Sequence, residues 1–212
     1  MHMLKEVCVE NFKKVPELIA KGADRIELCD NLAVGGTTVS HGVAAETISY
    51  CHGKNIKVMS MIRPRCGNFI YSKEEIEIMK QDLVHLKQLG TDGVVLGCLD
   101  NKNWIDEEAM ITLLEQAEGL EVTFHMAFDQ INPDNQLKAI DWLVKHGVDR
   151  ILTHGGQLDS KIEDNLVRLK EYVDHAAGRI IILPGGGITG KNLDFITTEL
   201  SVSEVHGTRV VD

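Results

Sequence analysis

Gly22-Ala23-Asp24-Arg25-Ile26-Glu27-Leu28-Cys29 decides the fold. Its pattern returns as Gly90-Thr91-Asp92-Gly93-Val94-Val95-Leu96-Gly97 and again as Gly147-Val148-Asp149-Arg150-Ile151-Leu152-Thr153-His154. In each copy an amphipathic run ends at a glycine, which suits a left-handed helix C-cap. The aspartate then turns the chain, and the short apolar run that follows fits a buried strand. The pattern is a helix handing over to a parallel strand. The copies start 68 and then 57 residues apart, which leaves room for one further strand and two helices between each pair. The chain is therefore a run of βα units in which alternate strands are alike.

Outward from these anchors, strands are predicted at 5–9, 25–29, 57–62, 93–97, 121–125, 150–153, 179–183 and 204–206. Helices are predicted at about 12–21, 41–51, 72–89, 106–116, 133–146, 160–175 and 191–199. Pro16 and Pro133 are tolerated in a helix's first turn, and Ser72 with Glu75 forms a capping box. Eight strands and seven helices fit an α/β fold of the TIM-type (β/α)8 barrel kind, with residues 1–212 as one domain. The sequence reaches Asp212 before an eighth helix, so that element is lacking or truncated, or something else covers that side. An open side of this kind would suit a homo-oligomer in which a second copy packs there. Met1-His2 ahead of Met3 reads as a cloning remnant and enters no argument.

The bulk composition excludes several classes of function. A balance of 32 acidic to 22 basic residues gives a formal net charge of -10. That disfavours nucleic acid and anionic membranes, both of which are held by clustered Lys and Arg. No apolar run approaches the roughly 20 residues of a membrane span, and no signal-peptide pattern opens the chain, so a cytoplasmic location is expected. The five cysteines, at 8, 29, 51, 66 and 98, are odd in number and form no CxxC pair, so they read as reduced thiols.

In a parallel barrel the C-terminal strand ends and the loops after them carry function. Side chains alternate along a strand, so Glu6 and Cys8 share one face, and Arg25, Glu27 and Cys29 share another. Charges on these faces belong inside the barrel, where Glu6, Arg25 and Glu27 can pair. Cys8 and Cys29 then fall near the top on adjacent strands, with Met61 and Arg63 on the next strand and Thr123 and His125 on strand five. Two thiols with a thioether nearby are the soft ligands that suit Cu(I), although cysteine is also among the most buried residue types and often serves as a small hydrophobe. Cys51, Cys66 and Cys98 read as bystanders. Gly185, Gly186 and Gly187 after strand seven, with Gly207 after strand eight, stand where barrels often bind phosphate through backbone N–H groups. Arg63 and Arg65 can clamp a carboxylate or phosphate, or instead pair with Glu6 or Glu27. His125 can act as acid or base with Asp129 orienting it and Glu27 or Glu6 assisting, or be a hydrogen-bonded core histidine. His154, ending strand six, is the other histidine placed to matter. Three readings follow: Cu(I) binding through Cys8 and Cys29, an enzyme acting on a small phosphorylated or carboxylated metabolite, and an oligomeric scaffold.

At these residues the chain resembles the CutC family over almost its whole length. The resemblance rests on Glu6-Val7-Cys8, on the Gly22 to Cys29 stretch, on Gly35-Gly36-Thr37 and on Met61-Ile62-Arg63-Pro64-Arg65. It continues through Val122-Thr123-Phe124-His125, Ala127-Phe128-Asp129, Arg150-Ile151-Leu152-Thr153, Pro184-Gly185-Gly186-Gly187 and Val205-His206-Gly207. It implies a barrel, a cytoplasmic location, a part in copper homeostasis and a Cu(I) site at Cys8 and Cys29. The chain departs from the family where Met126 replaces Arg, Cys66 replaces Gly, Ile70 replaces Cys and His154 replaces Ser. An anion beside His125 therefore lacks the family's arginine, and no ligand comes from position 70.

Overall fold

The three repeated aspartates turn out to be stitches between strands. In the computed structural model, which describes residues 3–212 and leaves Met1 and His2 outside, Asp24 accepts a hydrogen bond from the Lys5 N–H at 2.9 Å. Asp92 accepts from Val58 N–H at 2.8 Å and Asp149 from Val122 N–H at 2.7 Å. In each case the acceptor precedes one strand and the donor opens its neighbour, satisfying an N–H that the ladder leaves unpaired. The preceding glycines take the left-handed conformation a helix C-cap needs, with φ of 96° at Gly22, 88° at Gly90 and 74° at Gly147.

These stitches organise eight parallel strands: β1 Leu4–Glu10, β2 Arg25–Cys29, β3 Lys57–Met61, β4 Gly93–Leu96, β5 Glu121–Phe124, β6 Arg150–Thr153, β7 Ile181–Pro184 and β8 Glu204–Gly207. Seven helices alternate with them: α1 Val15–Ala20, α2 His41–His52, α3 Lys73–Gln88, α4 Glu107–Gln116, α5 Gln136–Lys145, α6 Leu166–Ala176 and α7 Leu193–Leu200. Neighbouring strands pair in the order β7-β6-β5-β4-β3-β2-β1-β8, so the sheet rolls into a nearly closed TIM-type barrel. β7 and β8 lie side by side without a ladder, and a single bridge between Thr189 and Arg209 joins the loops that follow them. Among the described residues no helix follows β8.

Local sequence explains the elements. Ser72 accepts from Glu75 N–H while Glu75 accepts from Ser72 N–H, so the capping box starts α3 where the sequence places it. Several helices begin later than predicted, α1 at Val15 rather than near residue 12 and α7 at Leu193 rather than near 191. Pro133–Asn135 and Ile162–Asn165 form tight single turns, and α5 and α6 continue from Gln136 and Leu166.

The alternation of side chains sorts the interior into layers. A large apolar core fills the space between sheet and helices, while a separate cluster of Cys8, Cys29, Met59, Met61 and Val95 lies inside the barrel. Below that cluster, at the N-terminal ends of the strands, charges alternate in sign. Lys57 pairs with Glu121, Arg150 with Glu121 at 2.6 Å and with Glu204 at 2.9 Å, and Arg25 with Glu204 at 2.7 Å and with Glu6. Each charge is balanced by neighbours of opposite sign, which a barrel interior requires.

The bottom of the barrel makes a graded test. Asp149→Ala leaves the Val122 N–H unpaired and should cost about 1–3 kcal/mol in urea unfolding. Gly147→Ala meets no atom within 4 Å but holds φ at 74°, so only the left-handed strain of about 1–2 kcal/mol applies. Gly93→Ala should cost more than Gly147→Ala, because its Cβ would run into Met59 Cε and stand 2.6 Å from the Glu121 carbonyl oxygen. The reverse order for the two glycines would show that interior packing does not fix this layer.

Candidate functional site

Above the charge chain the barrel opens into a cavity of about 220 Å³. Its floor is built by β1, β2 and β8. Their register sets Cys8 beside Glu27 and Glu6 beside His206, so alternation brings all four side chains inside together with Cys29. His206 Nδ1 lies 2.8 Å from Glu6 Oε1, and its Nε2 lies 3.7 Å from Glu27 Oε2. Burial alone would lower the imidazole pKa, but the charges of Glu27 and Glu6 and a contact with Cys8 carry it well above the ordinary histidine range. Burial likewise opposes ionisation of Glu6, yet Arg25 and His206 outweigh it and hold that carboxyl at about 2. Glu27 keeps one oxygen without a partner, and burial first of all raises its pKa. The expected Glu6–Arg25 pair forms, whereas Glu27 faces His206 and the thiols rather than Arg25.

The two cysteines meet at this floor. Cys8 Sγ and Cys29 Sγ are 3.9 Å apart, and Cys29 Sγ is 3.6 Å from Glu27 Oε2. Cys29 is 0% exposed and Cys8 8%, so both lie below the rim where the sequence placed them, with only Cys8 lining the cavity. Gly36 is required here, because a Cβ at that position would stand 3.0 Å from Cys29 Sγ. Cys51 and Cys98 are buried elsewhere and Cys66 is exposed, as expected of bystanders.

The remaining wall is mixed in character. Arg63 lines it and donates Nη1 to the carbonyls of Val34 and Gly36 and Nη2 to that of Gly67, all at 2.9 Å, so it ties two loops together instead of pairing with Glu6 or Glu27. Arg65 does not line the cavity: it pairs with Glu75 and donates to the carbonyls of Cys66, Asn68 and Ile70. Gly186, Gly187 and Gly207 reach the cavity, while Gly185 packs against Leu152, His206 and Met126.

His125 is buried, and its Nδ1 accepts from Ala127 N–H at 3.2 Å while Nε2 has no partner among the described residues. Gly97 makes room for the ring, since a Cβ there would stand 2.7 Å from it. Asp129 does not orient His125 as the sequence suggested. The tight turn Met126–Gln130 swings it to the end of β6, where Thr153 Oγ1, His154 N–H at 2.9 Å and Gly155 N–H at 3.1 Å donate to it. Burial raises the Asp129 pKa to about 6 against these bonds. His154 is likewise structural, its ring nitrogens facing the Gly185 carbonyl at 3.1 Å and the Ser160 carbonyl at 3.2 Å. His206, Phe69 and Arg209 line the cavity without having been singled out by the sequence as site residues. Applying the same alternation to β8 puts His206 inside together with Glu204.

Burial, and then the Arg63 charge, hold His125 at about 3 against an ordinary 6.5. Below pH 6.5 the unfolded chain protonates this imidazole while the folded one does not, so stability falls as the pH drops. In chemical denaturation between about pH 6.5 and pH 4, the stability difference between wild type and His125→Gln should move towards the variant by about 1.4 kcal/mol per pH unit. A difference independent of pH would mean that His125 is not held neutral.

Comparison with known proteins places this geometry among relatives. The sequence profile of the CutC family matches residues 3–211. The chain is 56% identical over 209 residues to the family protein CutC of Enterococcus faecalis, spanning 99% of this chain and all of the relative. It is 41% identical over 203 residues to the human copper homeostasis protein cutC homolog, covering 96% of this chain and 72% of that one. A crystal structure of CutC from Streptococcus agalactiae superposes with a TM-score of 0.96 at 46% identity, covering 98% and 99% of the two chains. Deoxyribose phosphate aldolase from Aeropyrum pernix, at TM-score 0.72 and 11% identity over 98% of this chain and 86% of that one, shares the barrel alone. With residues 3–211 matched by the family profile and 99% of the chain aligned to the whole of a relative at 56% identity, the chain belongs to the CutC family.

Proposed function

We propose that the protein takes part in copper homeostasis by binding one Cu(I) between Cys8 and Cys29. The observation that carries this reading is the pair of sulfurs 3.9 Å apart on adjacent strands, in a cluster that also holds Met59 and Met61. Thiolate and thioether donors select Cu(I) over harder cations, and the donor set here is soft. The names of the human and mouse relatives, copper homeostasis protein cutC homolog, point the same way.

The thiols are protonated in the metal-free protein. The Cys29 contact and burial push Cys8 well above the ordinary thiol range, and burial with the Glu27 charge takes Cys29 to about 11 against the contact with Cys8. Cu(I) held by both thiolates would replace two protons with one positive charge, and the extra negative charge would be offset by His206, whose Nε2 lies 3.7 Å from Glu27 Oε2 and whose pKa is carried well above the ordinary histidine range. Cys8, which lines the cavity, is the sulfur the ion reaches first. No helix among the described residues is long and apolar enough to cross a membrane, and we infer a cytoplasmic site of action from the reduced state that such a thiol pair requires.

Anaerobic Cu(I) titration against a competing chelator tests the reading on wild type and on Cys8→Ser/Cys29→Ser. One tightly held Cu(I) per wild-type chain, lost in the double variant, is the expected result. Equal stoichiometry and affinity in the two proteins would overturn it.

A further inference from the structure

The cavity carries polar groups that the sulfur pair does not use. Because His125 Nδ1 accepts the Ala127 N–H, the neutral ring bears its proton on Nε2, and that N–H is buried without an acceptor. An unpaired buried donor costs about 1–3 kcal/mol, so an acceptor arriving from outside would bind with that advantage. His125 is 4% exposed and lines the cavity. Phe69 packs against it with ring centroids 4.7 Å apart and lies under Arg63, whose Cζ is 5.0 Å from the Phe69 ring centre. A fixed positive charge therefore stands close to the unused N–H.

The rest of the cavity is built in the same sense. Gly186 and Gly187 line it with φ of 81° and 102°, and their backbone N–H groups donate to no group among the described residues. Arg209 stands exposed at its edge. Near the floor Glu27 Oε1 is buried and unpartnered, an acceptor where the upper groups are donors. Met126 lines the wall next to His125, so positive charge comes from Arg63 and Arg209 rather than from position 126. The cavity, about 220 Å³ and open at its mouth, has room for a small organic molecule.

We propose that this cavity binds a small organic oxyanion, a carboxylate or phosphate on a hydroxylated stem, with His125 Nε2–H donating to the anion beside Arg63 and the Gly186–Gly187 turn. The hydroxyl of the stem is the group that Glu27 Oε1 accepts from. Burial keeps the His125 ring neutral at physiological pH, so it acts as a donor without a counter-charge of its own. The ligand would lie over Cys8 and close the metal's route to the sulfur pair, which makes this a second site stacked on the first.

Isothermal calorimetry with glycerate, glycerol 3-phosphate and inorganic phosphate tests the inference on wild type, His125→Phe and Arg65→Gln. One organic anion per chain with a Kd of about 1 mM or tighter is expected in wild type, weakened at least about tenfold in His125→Phe. Arg65→Gln, altered outside the cavity, should bind as wild type does. Binding of neither organic anion, binding of inorganic phosphate as tight as theirs, or full binding in His125→Phe would overturn the proposal. A second measurement needs no variant: in the wild type the Nε2 resonance of His125 should shift when glycerate or glycerol 3-phosphate is added, and an unmoved resonance would overturn the contact. Cu(I) stoichiometry measured in parallel on His125→Phe reports on the sulfur pair alone, so failure of the anion site and failure of the copper site appear as separate results.

Discussion

Everything above the bottom layer of this barrel depends on the buried pair between Glu6 and Arg25. Glu6 is fully buried and Arg25 2% exposed, and neither could stay inside the barrel without the other. Arg25 also ties to Glu204, and Glu6 passes its second oxygen upward to His206, so one ion pair joins the starts of β1, β2 and β8. Removing either partner would strand a charge, at a cost of about 3–5 kcal/mol for a pair of this kind. Filling the space with apolar groups would be easier in energetic terms, but it would leave nothing to set the charge of His206 and Glu27 above. The ionic floor therefore does more than hold strands together: it fixes the electrostatic state of the layer in which the thiols sit.

From that floor to the mouth the interior changes character in steps. Alternating charges give way to His206 and Glu27, then to the sulfur cluster, and then to a cavity whose upper groups are donors with spare capacity. The helices contribute almost nothing directly to this column. They cover the outer face of the sheet with a separate apolar core, which lets the strands spend their inward positions on polar and sulfur groups. The division of labour follows from period-two alternation, with one face of every strand packing and the other serving the site.

Much of this could be read in the sequence because the repeated Gly-x-Asp step fixes where strands begin. β2 and β6 fall at their predicted residues, and the C-cap glycines have the predicted backbone conformation. Cys8 and Cys29 were placed together by alternation alone, since Glu6 and Cys8 share one face of β1 and Arg25, Glu27 and Cys29 share one face of β2. The errors have physical causes. Asp129 follows His125 closely in sequence, but a tight helical turn sends its side chain to β6, a direction that spacing does not encode. Arg65 shares a motif with Arg63, yet it lies in the irregular loop beyond β3, where alternation no longer tells inside from outside. His206 escaped notice because the alternation that places it inside together with Glu204 was not carried to β8, a strand of four residues.

The missing ladder between β7 and β8 gives the molecule a property that a fully hydrogen-bonded ring would lack. A closed ring of strands can widen only by breaking backbone hydrogen bonds, whereas this sheet is a rolled ribbon whose two lips are joined above by the Thr189–Arg209 bridge. The lips carry the Gly186–Gly187 turn on one side and Gly207 with Arg209 on the other, all at the mouth of the cavity. Parting them would break the Thr189–Arg209 bridge and side-chain packing but no strand ladder, whereas the charged base is held by ion pairs. The backbone ladder is thus interrupted beside the mouth of the cavity, while at the opposite end the Arg150–Glu204 pair ties β6 to β8 across that same seam.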